Sequence, residues 1–183
     1  MFLTVDESIT LRPFQLSDKS RLIQFGNNPK VSINLGDGFP YPYTEAAADT
    51  WLSNILKENP PTVFVIAEDN LLIGGTGYHP LNDVYRFTAE IGYWLAEPYW
   101  GKGIVTNVVR VLVDYVFEHH QFNKLFAGVF STNPASARVL EKNRFKLEGT
   151  LRESVIKRGV VQDELRYGLL RSEWEARHST ELP

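Results

Sequence analysis

A short segment with two glycines has the residue types of an anion-binding site. Residues 99–106, called the glycine loop below, read Tyr99-Trp100-Gly101-Lys102-Gly103-Ile104-Val105-Thr106. The first backbone amides of a helix have no partner within the helix, and the helix dipole adds partial positive charge there. Glycines let the backbone approach a bulky anion closely, and Lys102 adds a full charge. The segment therefore predicts a phosphate or pyrophosphate site at the start of a helix.

Two common phosphate-binding motifs do not match the spelling of the glycine loop. A Walker loop requires Ser or Thr directly after its Gly-Lys pair, whereas Gly103 follows Lys102 in this chain. A dinucleotide fingerprint requires a third glycine at the position of Thr106. The alternative for an isolated Gly-x-Gly is a helix-start turn whose glycines serve only packing.

The elements that must position the glycine loop follow from the apolar periodicity. Alternation over residues 86–95 predicts a strand before the loop, with Phe87, Ala89 and Ile91 on one face. The i, i+3, i+4, i+7 pattern over residues 103–120 predicts a long helix after it. A further strand is predicted over residues 124–130. Such a unit is normally a right-handed crossover between parallel strands.

The other elements are predicted from caps, turns and alternation. Helices are expected from Ser17 to about residue 25 and from Thr44 to about residue 58, with loop between them. A third short helix is expected over residues 133–143, and the tail after residue 174 is expected to fray. The remaining strands are expected at residues 9–13, 62–68, 71–79, 146–156 and 164–170.

The composition is that of an ordinary globular chain. The length suits a single domain over residues 1–183, with a polar tail from about residue 175. The net charge of -3 argues against a nucleic-acid partner. The chain has no cysteine, which excludes disulfides, thiolate zinc sites and a cysteine acyl-enzyme, and its four histidines form no metal set. Because no signal peptide or membrane-length apolar run is present, we expect a cytoplasmic protein with no membrane partner.

Four motifs follow one another along the chain. They are Glu90-Ile91-Gly92-Tyr93-Trp94-Leu95, the glycine loop, Asn133-Pro134-Ala135-Ser136, and Val139-Leu140-Glu141-Lys142-Asn143-Arg144-Phe145 followed by Leu147-Glu148-Gly149. In this order they resemble the GNAT acetyltransferase superfamily, and most closely its RimJ/RimL-like branch of ribosomal-protein N-terminal acetyltransferases. The resemblance runs from about residue 9 to residue 174 and implies an α+β fold with about seven mixed, mostly antiparallel strands and about four flanking helices. The fourth strand, residues 86–95, would splay from the fifth, residues 124–130.

The same resemblance implies acetyl-coenzyme A as co-substrate, without a metal. Loop amides would hold the pyrophosphate, the strand backbone would pair with the pantetheine arm, and Asn133 would hydrogen-bond that arm. Trp100 departs from the Gln or Arg usual in the family, and Val105 departs from the usual Gly or Ala. The implied cofactor-binding residues are Tyr93, Trp94, Leu95, Gly101, Lys102, Gly103, Ile104, Val105, Thr106 and Asn133.

Glu90 and Ser136 are the candidates for proton transfer. Acetylation of an amine needs a base for the amine and an acid for the departing thiolate. Glu90 is the candidate base, and its alternative role is a solvated carboxylate or an ion pair with an arginine. Ser136, carried over from the branch's Asn-x-x-Ser pattern, is the candidate acid, and its alternative role is to satisfy helix amides. Asp163 is a second acidic candidate, for which a turn role is the alternative.

The predicted activity is transfer of an acetyl group from acetyl-coenzyme A to a primary amine by direct attack in a ternary complex. The acceptor could be a protein N-terminus, a lysine or a small amine, and a homodimer is compatible with the sequence. By resemblance, residues 27–43, with Phe39, Tyr41 and Tyr43, would wall the acceptor pocket. The alternatives are a non-catalytic acyl-coenzyme A-binding module or sensor, and a different nucleotide binder, which the loop's spelling disfavours.

Overall fold

The computed structural model describes residues 3–179, which form eight strands and six α-helices, with three short 3-10 helices. The strands are β1 (Leu3–Thr4), β2 (Ile9–Pro13), β3 (Val63–Glu68), β4 (Leu71–Pro80), β5 (Thr88–Leu95), β6 (Lys124–Phe130), β7 (Lys146–Lys157) and β8 (Val160–Leu170). The α-helices are α1 (Lys19–Gly26), α2 (Pro29–Ser32), α3 (Glu45–Ile55), α4 (Ile104–His119), α5 (Pro134–Lys142) and α6 (Arg171–Ser179). The 3-10 helices are Leu16–Asp18, Asp83–Tyr85 and Glu97–Tyr99.

The strands form one mixed sheet in the order β1-β2-β3-β4-β5-β6-β8-β7. The pair β5 and β6 is parallel and is joined by α4, as the change of periodicity predicts, whereas the pairs β1/β2, β2/β3, β3/β4, β6/β8 and β7/β8 are antiparallel. The parallel register covers three residue pairs, from Thr88↔Lys124 to Glu90↔Phe126, of strands with eight and seven residues. Such a short register agrees with the expected splay, and the predicted mixed fold class is confirmed.

The chain divides into two compact units. The first comprises Met1–Gly77 and Tyr93–Val111, and the second comprises Tyr78–Gly92 and Leu112–Pro183. The single domain over residues 1–183 therefore stays a prediction. The first unit holds α1 to α3, β1 to β3 and the glycine loop, and the second holds β6 to β8, α5 and α6.

The core of the first unit lies where α1 and α3 pack on buried strand residues. Leu22 of α1, Leu52 of α3 and Val65 of β3 are almost completely buried in one cluster. A buried ion pair lies beside this core, because Arg12 Nη2 is 2.7 Å from Asp18 Oδ1. Arg12 also donates to the Asn70 carbonyl at 2.8 Å, which ties the turn before α1 to the β3-β4 hairpin.

Local hydrogen bonds shift two helix boundaries from the prediction. Helix α1 begins at Lys19, not at Ser17, because the Asp18 carboxylate accepts from the Gln15 amide at 2.8 Å and turns the chain first. Thr44 caps α3 as predicted, since its Oγ1 accepts from the Ala47 amide at 3.2 Å, but the helix ends at Ile55.

Further elements appear in segments that the sequence did not resolve. Strand β1 lies before the first predicted strand, and α2 lies inside the predicted loop of residues 27–43, where Asn28 caps it. Strand β8 begins at Val160 instead of residue 164, because Arg158 and Gly159 form a two-residue turn with φ of 50° and 79°. A turn of this kind lets the strands pair at once. The predicted turn at Asp69 and Asn70 is also formed with positive φ.

Helix α6 occupies the start of the tail that was expected to fray. Arg171 donates to the carbonyl of Phe117 at 2.9 Å and to that of Phe122 at 2.7 Å, and Trp174 Nε1 donates to Asp114 Oδ1 at 2.8 Å. These bonds anchor the helix to the second unit, so the tail is helical as far as Ser179. Residues 180–183 lie outside the described residues.

Candidate functional site

The glycine loop lies in the first unit, between the end of β5 and the start of α4. Gly101 and Gly103 have φ of 76° and 78°, a left-handed region that glycine adopts without steric cost. Nothing lies within 4 Å of a Cβ built on either residue. The backbone conformation, and not crowding by neighbours, is therefore what requires glycine at these positions.

The loop leads directly into the N-terminus of α4, a helix of 16 residues. Gly101, Lys102 and Gly103 are exposed, and the three residues that follow are half-buried. The first turn of a helix presents amides that its own hydrogen-bond ladder does not use. Such amides, together with the dipole of a long helix, favour anion binding in general, and an anion site at this loop stays a prediction.

Trp100 and Val105, the two departures from the family pattern, both fit the loop. Trp100 Nε1 donates to the Leu95 carbonyl at 2.7 Å, so the indole ties the loop to the last residue of β5. Val105 is half-buried and precedes the fully buried Val108 and Val109 at helical spacing, which places it on the inward stripe of α4. Trp100 thus contributes a hydrogen bond between the glycine loop and β5 that the sequence alone did not reveal.

The end of β5 forms part of an aromatic cluster in the first unit. Leu95 is buried and Tyr93 and Trp94 are half-buried. The Trp94 ring lies 5.2 Å, between centroids, from Phe39, which lies 5.0 Å from Tyr43. Phe39 and Tyr43 of the predicted acceptor wall therefore pack together with the proposed cofactor strand.

Tyr43 is buried beside Gly26. Burial raises the pKa of the Tyr43 phenol to about 12. A Cβ built on Gly26 would lie 2.8 Å from the Tyr43 ring, so the glycine makes room for it. Tyr43 is therefore a buried member of the aromatic cluster, whereas Tyr41 is 47% exposed.

Glu90 lies on β5 in the second unit, on the strand face opposite the buried Ala89 and Ile91. It is half-buried, and within residues 3–179 no hydrogen bond or ion pair involves its carboxylate. The alternative in which Glu90 pairs with an arginine is therefore not what the structure shows. The strand begins at Thr88 instead of residue 86, so Phe87, which the sequence placed in the strand, precedes it and is 45% exposed.

An arginine and a second glutamate share the sheet face of Glu90. The register pairs Glu90 with Phe126, Gly128 with Arg166 and Phe130 with Glu164, and paired residues lie on the same face. Arg166 Nη2 lies 2.6 Å from Glu164 Oε1, and its guanidinium carbon lies 4.6 Å from the Phe126 ring centroid. Sequence reasoning missed this pair, although the alternation along β8 could have placed both residues on one face.

Asn133 and Ser136 are brought together at the start of α5 in the second unit. Asn133 is the N-cap, and its Oδ1 accepts from the Ser136 amide at 3.2 Å. This cap does not use the Asn133 Nδ2 group, which is a hydrogen-bond donor. Asn133 therefore caps α5, and both residues are half-buried.

Asp163 has a structural role in the second unit. It lies inside β8 and not ahead of it, and its Oδ1 accepts from the Glu153 amide at 2.8 Å. Glu153 has a φ of 53° and lies where the register shifts between Leu151 and Val155. The carboxylate therefore stabilises an irregular strand, which favours the local structural role over proton transfer.

Comparison with known proteins assigns the chain to a family. A family model described as "Acetyltransferase (GNAT) domain" matches residues 8–146. The chain belongs to the GNAT acetyltransferase family. As a GNAT N-acetyltransferase it falls within a family that uses acetyl-coenzyme A, and a relative at 32% identity that is named as a ribosomal N-acetyltransferase supports the RimJ/RimL-like branch. The enzyme class and branch implied by the four motifs are thereby confirmed.

Relatives of this GNAT protein are named for several activities. The "Putative ribosomal N-acetyltransferase YdaF" of Bacillus subtilis (strain 168) is 32% identical over 179 residues, covering 93% of this chain and 96% of the relative. The "Spermidine N(1)-acetyltransferase" of Escherichia coli (strain K12) is 25% identical over 173 residues, covering 94% and 91%. A crystal structure of RimL, a ribosomal L7/L12 alpha-N-protein acetyltransferase in complex with coenzyme A, matches with a TM-score of 0.83. That match covers 94% of this chain and 99% of RimL at 22% identity, and at this identity it shows the fold alone.

Within residues 3–179 of this GNAT protein, no group of three or more His, Asp and Glu residues could hold a metal ion. No helix of the same part of the chain is both long enough and apolar enough to cross a membrane.

Proposed function

We propose that this GNAT enzyme transfers the acetyl group of acetyl-coenzyme A to a primary amine by direct attack of the amine on the thioester. The observation that carries the proposal is the glycine loop. Its two left-handed glycines lead into a 16-residue helix, and Trp100 ties it to the end of β5. This combination forms an anion site beside a strand end, as coenzyme A requires.

In this proposal the loop amides and Lys102 bind the pyrophosphate. Lys102 Nζ lies 5.2 Å from the centroid of the Tyr99 ring, and the residue is exposed. An exposed ammonium beside an aromatic ring is accessible to an anion. The backbone from Tyr93 to Leu95 pairs with the pantetheine arm without using the Leu95 carbonyl, which accepts from Trp100.

Strand β5 and the start of α5 carry the groups that we propose to move protons. The amine nitrogen forms a bond to the thioester carbon, the carbon–sulfur bond breaks, and the sulfur departs with the bonding electrons. Glu90 accepts the proton of the attacking amine, directly or through water. Ser136 donates a proton to the thiolate, and Asn133 Nδ2 donates a hydrogen bond to the pantetheine arm.

We infer that the acceptor is the N-terminus of a protein or peptide in preference to a polyamine. Residues 27–43 carry three aromatic side chains and one acidic residue, Asp37. A polyamine carries several positive charges, and its recognition calls for several carboxylates. Aromatic surfaces suit the side chain that follows a peptide's terminal amine.

Thermal unfolding with and without acetyl-coenzyme A tests the cofactor, with ATP and NAD as control ligands. A ligand at ~100 times its dissociation constant adds about 2.7 kcal/mol, which is several degrees for a chain of this size. We expect a rise in Tm with acetyl-coenzyme A alone. No rise at millimolar ligand would overturn the proposal.

Turnover with a panel of amines then tests the acceptor. Peptides with a free N-terminus should release coenzyme A, matched N-acetylated peptides should not, and spermidine should react more slowly than the peptides. Cofactor binding without turnover on any of these amines would instead support a non-catalytic acyl-coenzyme A-binding module.

A further inference from the structure

The carboxylate of Glu97 connects the 3-10 turn that precedes the glycine loop with helix α2. Glu97 opens the 3-10 turn Glu97–Tyr99, which leads directly into the loop. Its Oε2 accepts from Asn28 Nδ2 at 2.8 Å, and its Oε1 contacts Lys30 Nζ. Both partners lie at the start of the segment of residues 27–43, so Glu97 joins that segment to the cofactor loop within the first unit.

The position of this carboxylate is electrostatically unfavourable for a loop that binds pyrophosphate. A negative charge a few residues before an anion site weakens anion binding unless a cation neutralises it. Lys30 and Asn28 hydrogen-bond the ionised form of Glu97 and lower its pKa. Lys30 thus neutralises the charge of Glu97, and the carboxylate makes two specific contacts, one with Lys30 and one with Asn28.

Neighbouring contacts hold the same 3-10 turn from its other side. The Tyr99 ring packs edge-on against Phe25 of α1, with 6.2 Å between centroids. The Arg21 guanidinium carbon lies 5.0 Å from the Phe25 ring centroid, and Arg21 Nε donates to the Leu72 carbonyl at 2.7 Å. The turn is therefore attached to α1 through Tyr99 and to α2 through Glu97.

We propose that Glu97 is a positioning residue that, with Asn28 and Lys30, holds the glycine loop in its phosphate-binding conformation before acetyl-coenzyme A binds. These three residues are called the Glu97 clamp. The inference rests on the proposed function, since it concerns the same cofactor loop. Through the clamp, an ordered conformation of residues 27–43 stabilises an ordered conformation of the glycine loop.

The expected size of the effect follows from the exposure of the pair. Side chains of Glu97 and Lys30 are 34% and 67% exposed, and ion pairs this exposed contribute little on their own. The clamp adds the Asn28 hydrogen bond. Because it orders the loop before binding, it also reduces the conformational entropy that the loop loses when acetyl-coenzyme A binds. We expect its loss to weaken acetyl-coenzyme A binding by about three- to tenfold.

Titration calorimetry on the full chain with acetyl-coenzyme A tests the proposal. Glu97→Gln removes the charge and keeps an oxygen that accepts from Asn28. The clamp predicts a higher Kd and a KM for acetyl-coenzyme A that rises in parallel, with kcat within about twofold of wild type. If Glu97 were only a surface anion near the phosphates, its neutralisation would tighten binding, so a lower or unchanged Kd overturns the proposal.

Lys30 variants separate the clamp from general electrostatics. Lys30→Met and Glu97→Gln should each weaken binding, and the double variant should be no weaker than the worse single one. The charge exchange Lys30→Glu with Glu97→Lys should recover most of the affinity that Glu97→Lys alone loses. Additive losses, or no recovery, would contradict a specific pair.

Asp49→Asn is the matched control. Asp49 forms a surface ion pair with Lys19 at 2.8 Å in the same unit, away from the glycine loop. Its variant should bind acetyl-coenzyme A as wild type does, and all variants should unfold within a few degrees of wild type. If wild type itself binds no acetyl-coenzyme A, the proposed function fails together with the clamp. If wild type binds and Glu97→Gln binds equally well, only the clamp fails.

Discussion

At the scale of single residues, similar side chains have different roles because of what surrounds them. Asp163 and Glu90 are both half-buried carboxylates on strands of the second unit. Asp163 accepts a backbone hydrogen bond in an irregular stretch, whereas the carboxylate of Glu90 has no such bond within residues 3–179. A carboxylate without a structural hydrogen bond keeps its oxygens for a substrate proton, which favours Glu90 as the base.

Replacement of Glu90 should affect chemistry and leave binding intact. Glu90→Gln keeps the shape of the side chain and removes its basicity, so kcat should fall by roughly 100-fold or more. Steady-state kinetics with a peptide acceptor measures kcat, and calorimetry should give an unchanged Kd for acetyl-coenzyme A.

Glu68→Gln is the matched control for this prediction. Glu68 is a half-buried glutamate on β3 of the first unit, outside the proposed site. Its variant should retain wild-type kcat. A Glu90→Gln enzyme with wild-type kcat would exclude Glu90 as the general base.

At the scale of elements, helix starts do most of the positioning. The same physical property, a set of amides that the helix ladder leaves unused, is present at both α4 and α5. At α4 the exposed glycine loop precedes these amides, where we propose that an anion binds. At α5 the Asn133 side chain accepts one of them from within the chain. Asn133 therefore combines a structural oxygen with a nitrogen assigned to the cofactor.

Two substitutions of Asn133 should separate these functions. Asn133→Asp keeps the capping oxygen and loses the donor nitrogen, so stability should stay near wild type while the Kd for acetyl-coenzyme A rises several-fold. Asn133→Ala loses both groups and should also cost about 1 kcal/mol of unfolding free energy. Urea unfolding and calorimetry on each variant measure the two effects. Equal cofactor affinity in wild type and Asn133→Asp would show that the nitrogen does not contact the cofactor.

At the scale of the whole molecule, the sequence predicted what local patterns determine. The change from strand to helix period around the glycine loop gave the parallel β5-α4-β6 crossover, and the loop's spelling gave the candidate anion site. Contacts between distant segments were not predictable in the same way. The bond from Arg12 to the Asn70 carbonyl joins residues 58 positions apart, and the bond from Asn28 to Glu97 joins residues 69 positions apart. Periodicity shows which face of an element is apolar, but it does not show which polar side chains of distant segments form hydrogen bonds with one another.

Stability of the molecule should depend on pH through His120. Tyr78 Oη lies 2.8 Å from His120 Nε2, and burial, with a smaller effect of His119, lowers the pKa of His120 from its ordinary 6.5. The unfolded chain therefore binds a proton at His120 before the folded protein does. As pH falls through about 6.5, the folded state loses stability, and this loss stops once the folded-state pKa is passed.

Urea unfolding from about pH 8 to about pH 5 measures this effect. The decrease in unfolding free energy should be smaller in His120→Gln than in wild type. The exposed His79 is the control, because His79→Gln should keep the wild-type decrease. An unchanged decrease in His120→Gln would assign the pH dependence to other groups.

Gly75 of β4 and Trp94 of β5 each limit which residues can replace the other, because their side-chain positions share one space. A Cβ on Gly75 of β4 would lie 2.7 Å from Trp94 Nε1, so position 75 has no volume to spare while position 94 holds an indole. Substitutions at the two positions should be accepted together and rejected singly: Gly75→Ala becomes tolerable only after Trp94 is replaced by a smaller side chain. Trp94 packs on Phe39 of the aromatic cluster. If acceptor preference changes through substitutions in this cluster, Trp94 must be replaced by a smaller residue before Gly75 can be replaced by a larger one.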